Sequence, residues 1–309
     1  MITRSDVEDA FKRISPQIRQ TPVMDCFGDF SNHDTPISLK LELFQHTGSF
    51  KPRGAFNNLL TREVPTAGVA AASGGNHGAA VAYAAKKLGH KAKIFVPEIS
   101  TLQKIEKIKS AGAELLVEGA KYVDALALCE TYQAETGAMS IHAYDSDQTI
   151  AGQGTVGLEW LAQVGSLDTL LVAVGGGGLI AGIIVATKGL CNVVAVEPEG
   201  SCCLQTALNN DALTSVEVNS VAADSLGATE LGGLPFEICR EGLHQSLAIP
   251  DTAIKQAQLA LWKKCQIVSE PGGATALAAL TCGAYKPQPG ERIGVLVCGG
   301  NTDLDAFHA

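Results

Sequence analysis

The chain lacks the features that would staple it, export it or carry it to nucleic acid. Its nine cysteines form no CxxC pair and no Cys/His block at zinc spacing. An odd number scattered through 309 residues points to a reducing cytoplasm rather than a disulfide framework. Basic residues are in deficit: 23 Lys and Arg against 32 Asp and Glu leave a formal charge of −9, which disfavours a nucleic-acid or anionic-membrane surface. Prolines number only 12, and no Pro/Ser-rich linker, repeat or low-complexity segment marks a domain boundary. No apolar stretch follows Met1-Ile2-Thr3-Arg4-Ser5-Asp6, whose charges suit neither a secretory signal nor a transit peptide. The one uncharged run, 170–186, falls short of the roughly 20 residues that span a bilayer. Gly175 to Gly178 in its middle would each weaken a helix by about 1 kcal/mol relative to alanine. What remains is 46% hydrophobic and 18% charged, the composition of a folded globule with two domains or one large one.

Short β-branched runs at 37–41, 69–71, 93–96, 115–117, 170–174, 193–196 and 293–297 alternate with helical patterns near 51–62, 76–88, 101–110, 121–135, 149–163, 178–189, 252–264 and 272–284. That alternation predicts an α/β fold with parallel sheets. Ligands then bind beyond the carboxyl ends of strands, so the glycine-rich turns after them are where chemistry is to be sought.

Four such segments stand out. Gly175-Gly176-Gly177-Gly178 follows a strand and opens a helix, and its unobstructed backbone N–H groups suit a phosphate dianion. The same stretch, with Gly176, Gly178 and Glu197, also imitates a dinucleotide fingerprint, which keeps a nicotinamide oxidoreductase open. Thr47-Gly48-Ser49-Phe50-Lys51-Pro52-Arg53 puts one lysine at a helix start beside an aromatic ring and an arginine. Partial desolvation there would make its amine a nucleophile or base, although most lysines are merely solvated. Ser73-Gly74-Gly75-Asn76-His77 on spacing alone favours a Ser or Asn N-cap over amides that hold a carboxylate. Cys298, in Val297-Cys298-Gly299-Gly300-Asn301, ends the last strand, where a lone cysteine is usually inert packing.

Taken together, these segments resemble the fold type II pyridoxal-phosphate enzymes, in particular the serine/threonine dehydratase and serine racemase group. The order and spacing match from about residue 15 to about 305. The likeness extends to Ala151-Gly152-Gln153-Gly154-Thr155, Glu197-Pro198, Asp224-Ser225-Leu226-Gly227 and Ser269-Glu270-Pro271. It implies a tryptophan synthase β-like architecture of two parallel-sheet α/β domains. A large cofactor-binding domain would comprise 1–67 and 146–309, and a small one, 68–145, would close over the substrate. Lys51 would carry the cofactor as an internal Schiff base, and Gly175, Gly176, Gly177 and Gly178 would hold its phosphate. Phe50, Asn76, Gly227, Glu270 and Cys298 would line it, with Asn76 on the phenolic oxygen and Cys298 at the pyridine nitrogen. Ser73, Gly74, Gly75 and His77 would hold the substrate carboxylate.

The activity so implied is a cytoplasmic ammonia-lyase that dehydrates and deaminates a β-hydroxy amino acid such as L-threonine or L-serine to a 2-oxo acid and ammonia. The alternatives are a racemase or β-replacement enzyme of the same fold, the nicotinamide enzyme, and a protein that only binds an amino acid. Gly74 stands where serine racemases carry a serine thought to act as acid/base on the opposite face, which favours elimination. Glu197 and Ser201 match a cation site of relatives, leaving a monovalent or divalent ion as an expectation, but Cys203 replaces an oxygen ligand there. A homodimer is the family expectation, with a small-molecule amino acid as substrate and neither nucleic acid nor membrane as partner.

Overall fold

The β-branched runs become strands of two separate sheets in the computed structural model, which describes residues 2–28, 30, 35–100 and 102–303. Met1, residue 101 at the start of the helix expected over 101–110, and the residues after 303 lie outside that range. In chain order the strands are β1 (Val23–Phe27), β2 (Pro36–Leu41), β3 (Val69–Ala72), β4 (Ala92–Val96), β5 (Glu114–Val117), β6 (Met139–Ser140), β7 (Thr169–Ala173), β8 (Asn192–Pro198), β9 (Gln245–Ile249) and β10 (Ile293–Val297). One sheet has the order β1-β2-β10-β7-β8-β9 and the other β5-β4-β3-β6. The smaller sheet is drawn entirely from residues 69–140, between two stretches that build the larger.

Among the described residues every strand pairing is parallel, as expected, except that of the edge strand β1 with β2. The cause is loop length. A parallel crossover needs about a dozen residues or more, and the chain between Phe27 and Pro36 is too short for one, so β1 folds back as an edge. β7 and β10 are buried along their whole length, as strands covered on both faces must be, which is why they read as unbroken apolar runs.

The expected helices form within three residues of their predicted ends, as Pro52–Thr61, Asn76–Lys87, Leu102–Ser110, Tyr122–Thr136, Asp147–Val164, Gly178–Thr187, Asp251–Cys265 and Pro271–Thr281. Helix Arg4–Ile14 was unforeseen, yet Thr3 and Asp6 form a capping box at its start. The glycines of 152–154 do packing work. A Cβ on Gly152 would stand 2.7 Å from Arg53 O, and one on Gly154 2.5 Å from Gly182 O. Helix Asp147–Val164 is thereby wedged against both the helix after Lys51 and the helix after the glycine run. Among the described residues no helix is long and apolar enough to cross a membrane.

Candidate active site

Lys51 is held at the helix Pro52–Thr61 start by backbone contacts with the end of β10. Phe50 N donates to Cys298 O at 3.2 Å, Gly300 N to Gly48 O at 2.9 Å, and Ser49 bridges Gly299. Two successive left-handed residues, Thr47 (φ 60°) and Gly48 (φ 75°), make the tight turn; at Gly48 a Cβ would strike Asn301. The amine that results is not an ordinary surface lysine. Burial lowers its pKa to about 8, against Cys298 and Glu270, which push it up. Its Nζ donates to Ala143 O at 3.0 Å and lies 5.2 Å from the Phe50 ring centre. A neutral amine is therefore accessible near physiological pH, as a nucleophile or base requires.

Across the cleft, helix Gly178–Thr187 begins without a side-chain cap, its N-cap Gly177 at φ 90°. A Cβ at Gly176 would run into the Tyr144 ring at 2.3 Å, and one at Gly175 would lie 3.1 Å from Leu226 Cα, so glycine is required for close approach rather than merely tolerated. Helix Asn76–Lys87 is likewise uncapped by any side chain, which decides against the N-cap reading of Ser73 and Asn76. Ser73 Oγ instead accepts from Gly75 N at 3.3 Å. Asn76 Nδ2 donates to Glu270 Oε1 at 2.7 Å, and its Oδ1 accepts from Asn301. Two positive helix ends thus converge on one buried amine.

The cleft is lined by Phe50, Lys51, Asn76, Gly175 to Gly178, Glu270 and Cys298, nine positions that the sequence singled out. Tyr144, Ser225 and Leu226 also line it. No pattern marked Tyr144, while Ser225 and Leu226 stand in the run Asp224-Ser225-Leu226-Gly227, of which only Gly227 was assigned to the site. Gly227 is not in the wall; a Cβ there would meet Ala223 O at 2.2 Å, so it closes a turn. His77 is buried with Nε2 2.8 Å from Ile141 O, turned to the backbone rather than to a substrate. Cys298 donates its thiol to Gly272 O at 3.4 Å, and burial pushes its pKa up. A glycine cradle without a cap, opposite a desolvated amine, fits a cofactor with a phosphate at one end and an amine-reactive carbonyl at the other.

The cation expectation gains no support. Both Glu197 oxygens accept backbone amides, from Leu204 at 2.9 Å and Gln205 at 2.8 Å, capping helix Cys203–Asn210. Ser201 Oγ is spent on Leu226 O at 2.7 Å. Among the described residues no group of three or more His, Cys, Asp or Glu is placed to hold a metal. The same capping leaves Glu197 no free oxygen for a ribose, which weakens the dinucleotide reading.

Glu270 yields a pH prediction. Burial raises its carboxyl to about 7, while Asn76 and Lys107 pull the other way. The folded protein then holds this proton more tightly than the unfolded chain, so the group favours folding fully below its ordinary pKa of 4.5. That contribution fades as pH rises to 7. Glu270→Gln keeps an acceptor for Asn76 without the titration. Its melting temperature is expected to exceed the parent's by roughly 2–4 °C at pH 8 and to match it at pH 4; equal melting curves at both would refute this.

Comparison with known proteins gives a consistent picture. Residues 14–299 match the family described as "Pyridoxal-phosphate dependent enzyme". The chain is 36% identical to phenylserine dehydratase of Ralstonia pickettii, over 96% of this chain and 92% of that protein. It is 33% identical to L-threonine ammonia-lyase of Thermotoga maritima, over 99% and 77%. The structure of maize serine racemase superimposes with a TM-score of 0.93 at 33% identity, covering 99% of this chain and 96% of that one.

Proposed function

This chain belongs to the pyridoxal-phosphate dependent enzymes, with the fold type II architecture, and from that premise we propose that it eliminates water from a β-hydroxy amino acid of the L-threonine, L-serine or aryl-serine type, a water then hydrolysing the released imine to a 2-oxo acid and ammonia. Lys51 would bear the cofactor, the Gly175 to Gly178 loop its phosphate, and Phe50, Asn76, Glu270 and Cys298 its ring. When bound, pyridoxal phosphate supplies an electron sink at the substrate's α-carbon. The chain supplies the rest. The Lys51 amine, with its pKa near 8, takes the α-proton. The uncapped start of helix Asn76–Lys87 orients the substrate carboxylate. Cys298, neutral and with its hydrogen committed to Gly272 O, places no charge beside the ring, which suits prompt loss of the β-hydroxyl better than a long-lived carbanion.

The observation that carries elimination over racemisation is Gly74, which has no side chain to return a proton on the opposite face. The likeness to serine racemases keeps the second reading in view, and the test separates them. The purified holoenzyme is supplied with L-threonine, L-serine and L-phenylserine, and 2-oxo acid release and the chirality of the remaining amino acid are followed together. Product without D-isomer supports the lyase; D-serine outpacing pyruvate refutes it.

Gly74→Ser sharpens the point. A Cβ there would crowd Ser100 Oγ at 2.7 Å, the end of a side chain that can rotate, and would meet Ser100 Cβ and Val96 Cγ1 at the ordinary contact distances of 3.6 and 3.9 Å, so the substitution fits. Racemisation of L-serine is expected to rise about 10-fold or more, the smaller share of an acid/base contribution, with the melting temperature unchanged. No rise would mean that the opposite face is not served from position 74.

A further inference from the structure

We propose that His77 is a positioning residue for Lys51: its imidazole fixes the crossing segment 141–145, whose Ala143 carbonyl holds the lysine amine in line with the cleft. The inference rests on the reading of Lys51 as the cofactor-bearing amine.

The segment leads from β6 to helix Asp147–Val164, and so from one sheet to the other. It has no secondary structure of its own, yet it is tied nearly residue by residue. His142 O accepts from Thr149 Oγ1 at 2.9 Å, and its ring Nδ1 from the amides of Asp145 at 2.8 Å and Tyr144 at 3.3 Å. The Asp145 carboxylate takes Gly233 N and Leu234 N, both at 3.0 Å, capping helix Gly233–Gly242. Lys51 Nζ reaches Ala143 O at 3.0 Å. At the sheet end β6 is only two residues long, a weak clamp, and the tie on Ile141 O is the His77 ring at 2.8 Å.

A carbonyl can only accept, so His77 Nε2 carries the hydrogen. The imidazole stays neutral: burial first, then the charges of Lys51 and His142, hold its pKa to about 3, although the Ile141 bond opposes this. Lys51 and His142 are the titratable groups that act on it. It therefore works as a fixed donor across the whole working pH range and is neither acid nor base in turnover. Its effect on Lys51 is electrostatic as well as geometric, because an aimed carbonyl dipole favours the charged amine and offsets part of its desolvation. Loosening the segment should lower the lysine's pKa further and spoil its aim.

The test compares His77→Phe, which keeps a ring and loses the donor, with His77→Gln, which keeps a donor of similar reach. The full chain is freed of cofactor by dialysis, and the rate of covalent capture of added pyridoxal phosphate is followed by visible absorbance across pH. The midpoint of that profile reports the amine. His77→Phe is expected to move it down by about half a unit or more. Its kcat for elimination should fall about 10-fold with KM within about 3-fold, the mark of lost transition-state alignment; His77→Gln should stay at the parent midpoint. An unmoved midpoint in His77→Phe, or an equal shift in His77→Gln, overturns the proposal. If His77→Phe does not fold, His77→Gln decides alone: the parent midpoint upholds the role of the donor and a displaced one overturns it. Lys51→Ala is run alongside. Capture by that variant would remove the reading of Lys51 itself, whereas no capture there with an unmoved His77→Phe profile overturns only the role of His77.

Discussion

Lys51→Ala is expected to lower turnover about 10³-fold or more and to abolish the visible absorbance of the reconstituted protein, while the fold persists. The size follows from its two roles, since one amine would both anchor the cofactor and move the α-proton. The fold should survive because the side chain contributes little to it: one bond to Ala143 O and a contact with the Phe50 ring. Burial moreover disfavours its charged form. Removing it takes away an expense of folding, so the melting temperature should hold or rise by roughly 2–4 °C. The checks are 2-oxo acid release, the visible spectrum and a thermal melt on one preparation. More than about a tenth of parental activity in the variant would contradict any role for this amine in the α-proton transfer.

The strands that carry the site could be read directly, because β7 and β10 are covered on both faces and so appear as apolar runs that end at glycine. The glycine run after β7 was legible for a related reason, as four glycines exceed what a strand-to-helix turn needs. Position 76 was ambiguous for a physical reason. A helix N-terminus that binds an anion and one capped by its own side chain call for the same residues, and only the absence of a side-chain cap on helix Asn76–Lys87 separates them. Tyr144 could not have been found, since it belongs to a segment with no period, placed by bonds to Lys51 and helix Gly233–Gly242 that lie far off in sequence. His77 and Glu197 show the opposite error. Both residue types suggested ligand chemistry, and both are spent on backbone, at Ile141 O and at the start of helix Cys203–Asn210.

Arg53→Met should cost the largest share of stability of any single change beneath the site, about 3–5 kcal/mol or roughly 10 °C in melting temperature. Arg53 is fully buried, two residues beyond Lys51. Its guanidinium meets Glu42 at 2.7 and 2.9 Å, Glu159 at 3.0 Å and Thr155 Oγ1 at 3.2 Å. Lys40 completes the cluster through Glu159 at 2.6 Å, Gln163 at 2.7 Å and Thr21 O at 2.9 Å. Two cations and two anions thereby cancel, and they join β2, the helix after Lys51 and helix Asp147–Val164, the elements that aim the amine.

Methionine matches the length of the arginine stem but leaves two buried carboxylates facing one ammonium. Burial would raise the Glu159 pKa, and the charges of Arg53 and Lys40 hold it below its ordinary value. A lowered carboxylate pKa adds stability above the unfolded value, and that stability is lost as pH falls through the folded one. The parent's advantage over Arg53→Met is therefore greatest near neutral pH and narrows below pH 4.5, the ordinary carboxyl value, because Glu159 in the variant can take up a proton. Adding Glu42→Gln removes the excess anion, so the double variant should recover part of the loss, a coupling of about 1–3 kcal/mol for groups in direct contact. Additive losses in the two single variants, or a penalty that does not change with pH, would show that Arg53 acts by filling space and that its charge does nothing to hold Lys51 in place.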